Sequence, residues 1–485
     1  LEEKTDNLTH IKNRTIKGLF WSANSRFSVQ AFNLIITAIL ARLLLPADFG
    51  TVGMSLIFIG LVSMINDIGL SSAIIQKKDL EDSHLHTAFW MNLFAGIFLV
   101  IFSFVVSPLI ADFFSTAVVE PIIKVSSLSF LITSFALVQR SLLSRQLQFK
   151  KLALTEICSS FLSGIIAVYL AVSGFGLWSL VARNLINDII LVSLTLLIYP
   201  WKPSLCFSKK SFSDLFNFGF NIIGSSFLGY LRENLDYIIV GRFMGAELLG
   251  YYTLAYTLAV YPTKKIAPVL TRVIFPVFSR IKDDNVKLKK GYVKLILFLS
   301  VVIIPAFIGL AVVAPEFILV VYGPKWSYSI VPLQILSLSG IIGSIIPAAE
   351  SVFYSKGVPE VNLKMNLIKL PITVFALIIG SFYGIVGIAA AVASTSFILS
   401  IVTQKIVNSM IYLSWEEYIS AIKLPLTASL LMGTMVLISK YILYTLGNYT
   451  YLTVLIGSIL VGSTIYIIFI LKYGQYILYD IRNYR

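Results

Sequence analysis

Charge is scarce in this sequence. Only 13% of its 485 residues are Asp, Glu, Lys or Arg, while 57% are hydrophobic; a soluble domain carries roughly 25% charged residues. So few polar side chains cannot clothe a water-facing surface around such an apolar excess, which excludes a soluble globular protein. Cysteine is nearly missing. Cys158 and Cys206 alone build no disulfide framework. Histidine is limited to three residues, and the pair His84/His86 resembles half a metal site with no further ligands nearby; no metal and no cofactor are expected. The short alternating segments of a transmembrane barrel do not occur, and they would be about ten residues long. The N-terminal LEEKTDNLTHIKNRTIKG lacks the apolar region of a cleavable signal.

Long apolar runs are what the sequence does have. Runs of about 20 residues or more span ~30 Å of hydrocarbon. They fall near 17–44, 47–75, 83–112, 119–144, 150–173, 176–199, 212–241, 246–279, 290–321, 328–355, 360–381, 384–412, 418–446 and 450–473. The fold class expected is an all-α integral membrane protein of about fourteen transmembrane helices, since only helices and closed barrels satisfy their backbone in lipid. Loops such as QKKDLED, RQLQFKK and RIKDDNVKLKKGYVK alternate in register with nearly uncharged ones such as LLPADFG, SGFG and SFYG. The basic set marks the cytoplasmic side, which places both termini in the cytoplasm. This also accounts for the net charge of +14 without invoking nucleic acid. The outer loops are short and carry no paired acids, which argues against a membrane polysaccharide polymerase or glycosyltransferase.

A parallel repeat is visible. ARLLLPADFGTVGM at Ala41 is similar to GRFMGAELLGYYTL at Gly241, so Arg42 and Gly50 match Arg242 and Gly250. SGFGLWSLVA at Ser173 is similar to SFYGIVGIAAA at Ser381, so Gly176 matches Gly384. An even number of spans separates each pair, and the halves therefore insert with the same orientation. The organisation expected is a cytoplasmic segment 1–16, an N-lobe 17–199, a basic linker 200–211, a C-lobe 212–412, and two added helices with a tail, 413–485. Repeats of this kind hold a substrate site at their interface.

The ordered set LARLLLPADFG, DIGLSSAIIQ, GFGLWSLV, GYYTLAYTLAVYP, FPVFSRIKDD and YGPKWSYSIVPLQIL resembles the signatures of Wzx-type polysaccharide flippases. These belong to the multidrug/oligosaccharidyl-lipid/polysaccharide (MOP) exporter superfamily, and the nearest look is to its colanic-acid and teichuronic-acid export branch. The resemblance implies two six-helix lobes in a V plus two C-terminal helices. It implies alternating-access translocation of undecaprenyl-diphosphate-linked oligosaccharide across the bacterial cytoplasmic membrane, alongside polysaccharide polymerase machinery and without enzyme chemistry. The alternative is another exporter of the same fold, for a peptidoglycan lipid precursor or for drugs.

Charges at membrane depth are the candidate site. One cation at the bilayer centre costs about 2.5–3.5 kcal/mol on insertion scales and normally faces a cavity or a partner. Arg26 lies about 13 Å deeper than Lys17 at ~1.5 Å per residue, on a polar stripe with Ser22, Gln30 and Asn33. In YPTKKIAPVLTRVIFP, Lys264 and Lys265 lie about 21 Å beyond Gly250, and Arg272 shares a face with Lys265. The other reading of these lysines is snorkelling to headgroups. Arg183 either lines the cavity or pairs with Asp188. A diphosphate calls for the guanidinium fork or the ammonium point charge, which makes Arg26, Asn33, Arg183, Lys264, Lys265 and Arg272 the substrate-binding candidates. Asp67, Glu156 and Asp188 are candidates for proton or sodium coupling, or else members of local pairs.

Overall fold

The structure, a computed structural model, describes residue 25 and residues 27–66, 70–77, 79–344, 346–447 and 449–474. Within its helices the side chains at 65, 210, 213–228, 261–273, 359, 363 and 446 are outside that description. Among the described residues all regular structure is helical. The order is α1 (Phe27–Leu43), α2 (Pro46–Asn66), α3 (Leu70–Gln76), α4 (Asp82–Phe113), α5 (Val119–Ser134), α6 (Leu137–Arg145), α7 (Phe149–Val172), α8 (Trp178–Ile198) and α9 (Lys209–Arg280). There follow α10 (Asn285–Val321), a 3-10 turn (Pro324–Ser329), α11 (Ile330–Gly343), α12 (Ile346–Ser355), α13 (Pro359–Ser381), α14 (Gly384–Ile411), α15 (Trp415–Leu446) and α16 (Tyr451–Tyr473). Ten described helices are long and apolar enough to cross a membrane, or eleven if the bent pair α5–α6 is one span. The other three spans read from the sequence fall in α1 and in the two arms of α9. Large apolar side chains cover the outside of the helices, with Val105 70% and Phe375 68% exposed, as a lipid-facing surface requires. The protein is a multi-pass membrane protein.

Local chemistry sets the helix ends. Pro46 opens α2, where its missing N–H costs nothing, and the Asp48 carboxylate accepts from the Leu45 N–H at 2.9 Å. Asp284 caps α10 by accepting from the N–H groups of Val286 and Lys287; these bonds hold its carboxyl below the usual carboxylate range. Ser414 and Glu417 close α15 with a reciprocal capping box. The two arms of α9 meet at Gly245, whose φ of 84° and ψ of 178° is a backbone region that only glycine enters readily.

The chain forms two compact units, Leu1–Gly250 and Tyr251–Arg485. In the first, Ile36 and Leu40 of α1, Val52 of α2, Ile122 of α5, Ala167 of α7 and Leu180 of α8 share one buried core. A second core joins Leu70 and Ile74 of α3 to Ala88 and Phe89 of α4 and Val138 of α6. Arg145 spans this end. Its Nη1 donates to the carbonyls of Ile74, Ile75 and Lys77 at 2.7, 3.1 and 2.6 Å, satisfying acceptors that the end of α3 leaves open. The segment after α8 is pinned to α4: the Ser204 N–H donates to His86 Nδ1 at 3.0 Å, and Trp90 Nε1 donates to the Ser204 carbonyl at 2.9 Å. His84 Nδ1 accepts from the Glu81 N–H. Both histidines thus hold the fold.

In the second unit α10 is the central helix. Leu288, Tyr292, Leu299 and Phe307 pack with Val352 and Phe353 of α12, Val407 and Ile411 of α14, and Ala421 of α15. The pairwise packing of the first unit recurs: α10 with α11 as α4 with α5, α13 with α14 as α7 with α8, and α11 with α14 as α5 with α8. The turns recur too. Leu147 N–H donates to Ser144 O at 3.1 Å and Gln148 N–H to Leu143 O at 2.9 Å; Gly357 N–H donates to Tyr354 O at 3.1 Å and Val358 N–H to Phe353 O at 3.0 Å. Leu147 and Gly357 are both left-handed, at φ 57° and 73°, and the sequence-matched Gly176 and Gly384 stand at 53° and 67°.

The Gly50/Gly250 pair is a direct contact within the first unit. A Cβ on Gly50 would lie 1.7 Å from the Ala246 carbonyl oxygen, and one on Gly250 would lie 1.9 Å from that of Pro46. Ala246 stands at the repeat position of Pro46. Residue 50 therefore meets 246 as residue 250 meets 46, the reciprocal pattern of a twofold contact.

Candidate functional site

Arg183 and Asn33 come together inside the first unit. Arg183 projects from α8, and its Nη2 donates to Asn33 Oδ1 on α1 at 2.7 Å. Its Nη1 reaches Thr37 Oγ1, one turn further along α1, at 3.4 Å. Ser160 of α7 donates to the same Asn33 oxygen at 3.0 Å. The guanidinium is thus held by two neutral acceptors of α1, one of which Ser160 of α7 also engages. Among the described residues no carboxylate pairs with it. Two of its five donors are engaged, which leaves three with no acceptor among the described residues.

Asp188 is not the partner of Arg183. Residues five apart on a helix project about 140° from each other. Asp188 instead accepts from Ser129 of α5 and from Asn187 Nδ2. Glu156 of α7 forms an ion pair with Arg140 of α6 at 2.8 Å. Asn66 of α2 donates to Thr133 of α5 at 3.5 Å. Ser129, Thr133 and Arg140 flank the 50° bend between α5 and α6, so a polar seam follows the broken helix. Broken helices at membrane depth occur where they are buried in protein or line a cavity.

Arg26 and Asp67 lie outside the described residues. Lys264, Lys265 and Arg272 fall on the second arm of α9, and their side chains are outside the description. Of the residues singled out from the sequence, Arg183, Asn33, Asp188 and Glu156 have described surroundings, and the first two share a site.

Sequence reading missed a buried ion pair. Lys440 of α15 lies 2.7 Å from Glu316 of α10, with side chains 11% and 3% exposed. Lys440 also donates to the Val312 carbonyl at 3.0 Å, and Tyr444 Oη to Glu316 Oε1 at 2.8 Å. The signal was one lysine inside the apolar VLISKYILY and one acid inside VVAPEFILVV. Arg140, Thr37 and Ser160 were missed as well, being ordinary residues until their neighbours are known.

Comparison with known proteins adds the family. The chain is similar to the lipopolysaccharide biosynthesis protein WzxC of Escherichia coli (strain K12), 29% identical over 87% of this chain and 86% of the relative. It is also similar to the teichuronic acid biosynthesis protein TuaB of Bacillus subtilis (strain 168), 27% identical over 87% of this chain and 88% of that one. Among solved structures it has the fold of the lipid II flippase MurJ in an inward closed conformation, with a TM-score of 0.76 at 18% identity over 95% of this chain and all of that one. A multidrug resistance MATE family transporter of the MOP superfamily, in an inward-facing conformation, gives a TM-score of 0.59 at 16% identity, over 81% of this chain and 99% of that one. Residues 39–331 match the family described as polysaccharide biosynthesis protein, and the chain therefore belongs to that family.

Proposed function

We propose that this protein is a flippase. It carries an undecaprenyl-diphosphate-linked oligosaccharide repeat unit across the bacterial cytoplasmic membrane by alternating access and makes or breaks no bond in it. The observation that carries this reading is Arg183, a cation within a membrane span whose partners are the neutral Asn33 and Thr37. A guanidinium there is costly unless it meets polar partners, a wet cavity or a visiting anion, and a phosphate fits its free donors. Asn33 and Ser160 offer the amide and hydroxyl chemistry that sugars accept. Arg26, Lys264, Lys265 and Arg272 are proposed as further cations on the same path. Asp188, hydrogen-bonded to the neutral Ser129 and Asn187 with Arg140 nearby but not paired to it, is proposed for proton or sodium exchange ahead of Glu156, which Arg140 holds in an ion pair; Asp67 is the third candidate.

The lobes of the proposal are 17–199 and 212–412, with both termini cytoplasmic and a polysaccharide polymerase as the downstream partner. The contact of Gly50 with Ala246 and of Gly250 with Pro46 supports a closure beside the outer loops, which the backbones must leave when the site opens outward.

The test is depletion followed by analysis of inner-leaflet lipids. An undecaprenyl-diphosphate-linked repeat unit should accumulate. Accumulation of peptidoglycan precursor in its place would overturn the reading.

A further inference from the structure

We propose that the second unit holds a dedicated site for an anionic phospholipid between the first turns of α10 and α15. A pocket of about 450 Å³ lies there, lined by Lys289, Lys290, Lys294 and Glu417 together with Val293, Leu297 and Ala421. Its rim is cationic and its floor apolar, the two halves of a lipid. A phosphate would sit among the lysines, and the first carbons of its chains on Val293 and Leu297.

Depth fits this occupant. The 37 residues of α10 extend about 56 Å at ~1.5 Å per residue, well beyond ~30 Å of hydrocarbon. From Leu295 to Val321 the only charged side chain is Glu316. Lys294 is therefore the last lysine before the apolar run, and the pocket lies at headgroup level. Phe298, one turn deeper, is 43% exposed.

The charge pattern here is also one-sided. The first ten residues of α10 carry Lys287, Lys289, Lys290 and Lys294 and no acid. Asp284 engages Lys287 at 3.0 Å and Glu417 engages Lys289 at 2.8 Å. Glu417 is committed further, since its other oxygen closes the capping box with Ser414. The pocket lining itself holds three lysines and one carboxylate. A topology signal explains lysines in a cytoplasmic loop; it does not explain why they ring a cavity with an apolar floor. An anionic headgroup does, because basic pockets between membrane helices bind such lipids. Placing the site in the cytoplasmic leaflet rests on the proposed orientation, whereas the binding itself does not.

The experiment uses the full chain in detergent, with bound lipid counted by native mass spectrometry. Phosphatidylglycerol and phosphatidylcholine of the same chain length are titrated separately. Phosphatidylglycerol should be retained in preference, and each of Lys290→Gln and Lys294→Gln should weaken it about fivefold, roughly thirtyfold together. Phosphatidylcholine binding should not change. These lysines are exposed, and an unchanged gel-filtration profile confirms folding. Arg183→Ala should leave phosphatidylglycerol bound, which separates this site from the transport path. Equal retention by wild type and the double variant would overturn the proposal. So would displacement by millimolar inorganic phosphate, which marks a soluble-anion site, or displacement by polyprenyl diphosphate, which marks a part of the substrate path. Export can fail in the Arg183→Ala protein while lipid retention persists, so the two readings fail separately.

Discussion

Gly50 and Gly250 stand in reciprocal contact, each pressed on the carbonyl of the residue that opens the other's helical turn. Neither position has room for a methyl group, with carbonyl oxygens 1.7 and 1.9 Å from the would-be Cβ atoms. Gly50→Ala or Gly250→Ala should destabilise the protein by about 1–3 kcal/mol through overpacking. The double variant should cost less than the sum, because one separation of the two turns relieves both clashes. Thermal unfolding in detergent measures this; strictly additive losses would count against a shared contact.

Arg183 should matter for transport more than for abundance. Arg183→Ala should abolish export while the protein still reaches the membrane, and Arg183→Lys should restore part of it, keeping the charge but losing the planar fork. The readout is polysaccharide export normalised to membrane protein level. Wild-type export by Arg183→Ala would make the residue structural.

The repeat behind these predictions could be read directly from the chain, because Gly50/Gly250 and Gly176/Gly384 are tied to backbone geometry that few residues satisfy. The apolar runs were equally plain. The bend between α5 and α6 was not: it falls at Phe135 and Ala136, with no proline or glycine to announce it, so 119–144 reads as one span. The partners of charged residues were hidden for a different reason. Arg183 finds Asn33, and Lys440 finds Glu316, across 150 and 124 residues of sequence. Such pairs follow from tertiary packing and leave no local spacing. The reading of Arg183 with Asp188 was available only because the two are close in sequence, and helix geometry separates them.

The Lys440–Glu316 pair should behave as a buried ion pair. Lys440→Met alone leaves a carboxylate in apolar surroundings and should cost about 3–5 kcal/mol, while Lys440→Met with Glu316→Leu should recover most of it. A double-mutant cycle on thermal stability checks this. A single variant as stable as wild type would mean that water reaches Glu316.

The two cysteines offer a test of topology. Both are free and exposed, Cys158 on the apolar α7 and Cys206 in the segment after α8. A membrane-impermeant thiol reagent applied to intact cells should leave Cys206 unmodified, and should modify a Thr116→Cys protein lacking the native cysteines. Modification of Cys206 from outside would invert the orientation.

Leu147 and Gly357 point to a practical use of the duplicated architecture. The two turns share their hydrogen bonds and their left-handed residue, but one half uses leucine where the other uses glycine. A side chain in that conformation costs roughly 1–2 kcal/mol, partly offset by the greater entropy that glycine loses on folding. Leu147→Gly should therefore raise thermal stability modestly without touching the transport path. The later half of the chain serves as an internal consensus for the earlier one, and a hardened variant for biochemical work can be designed by copying residues from the protein to itself.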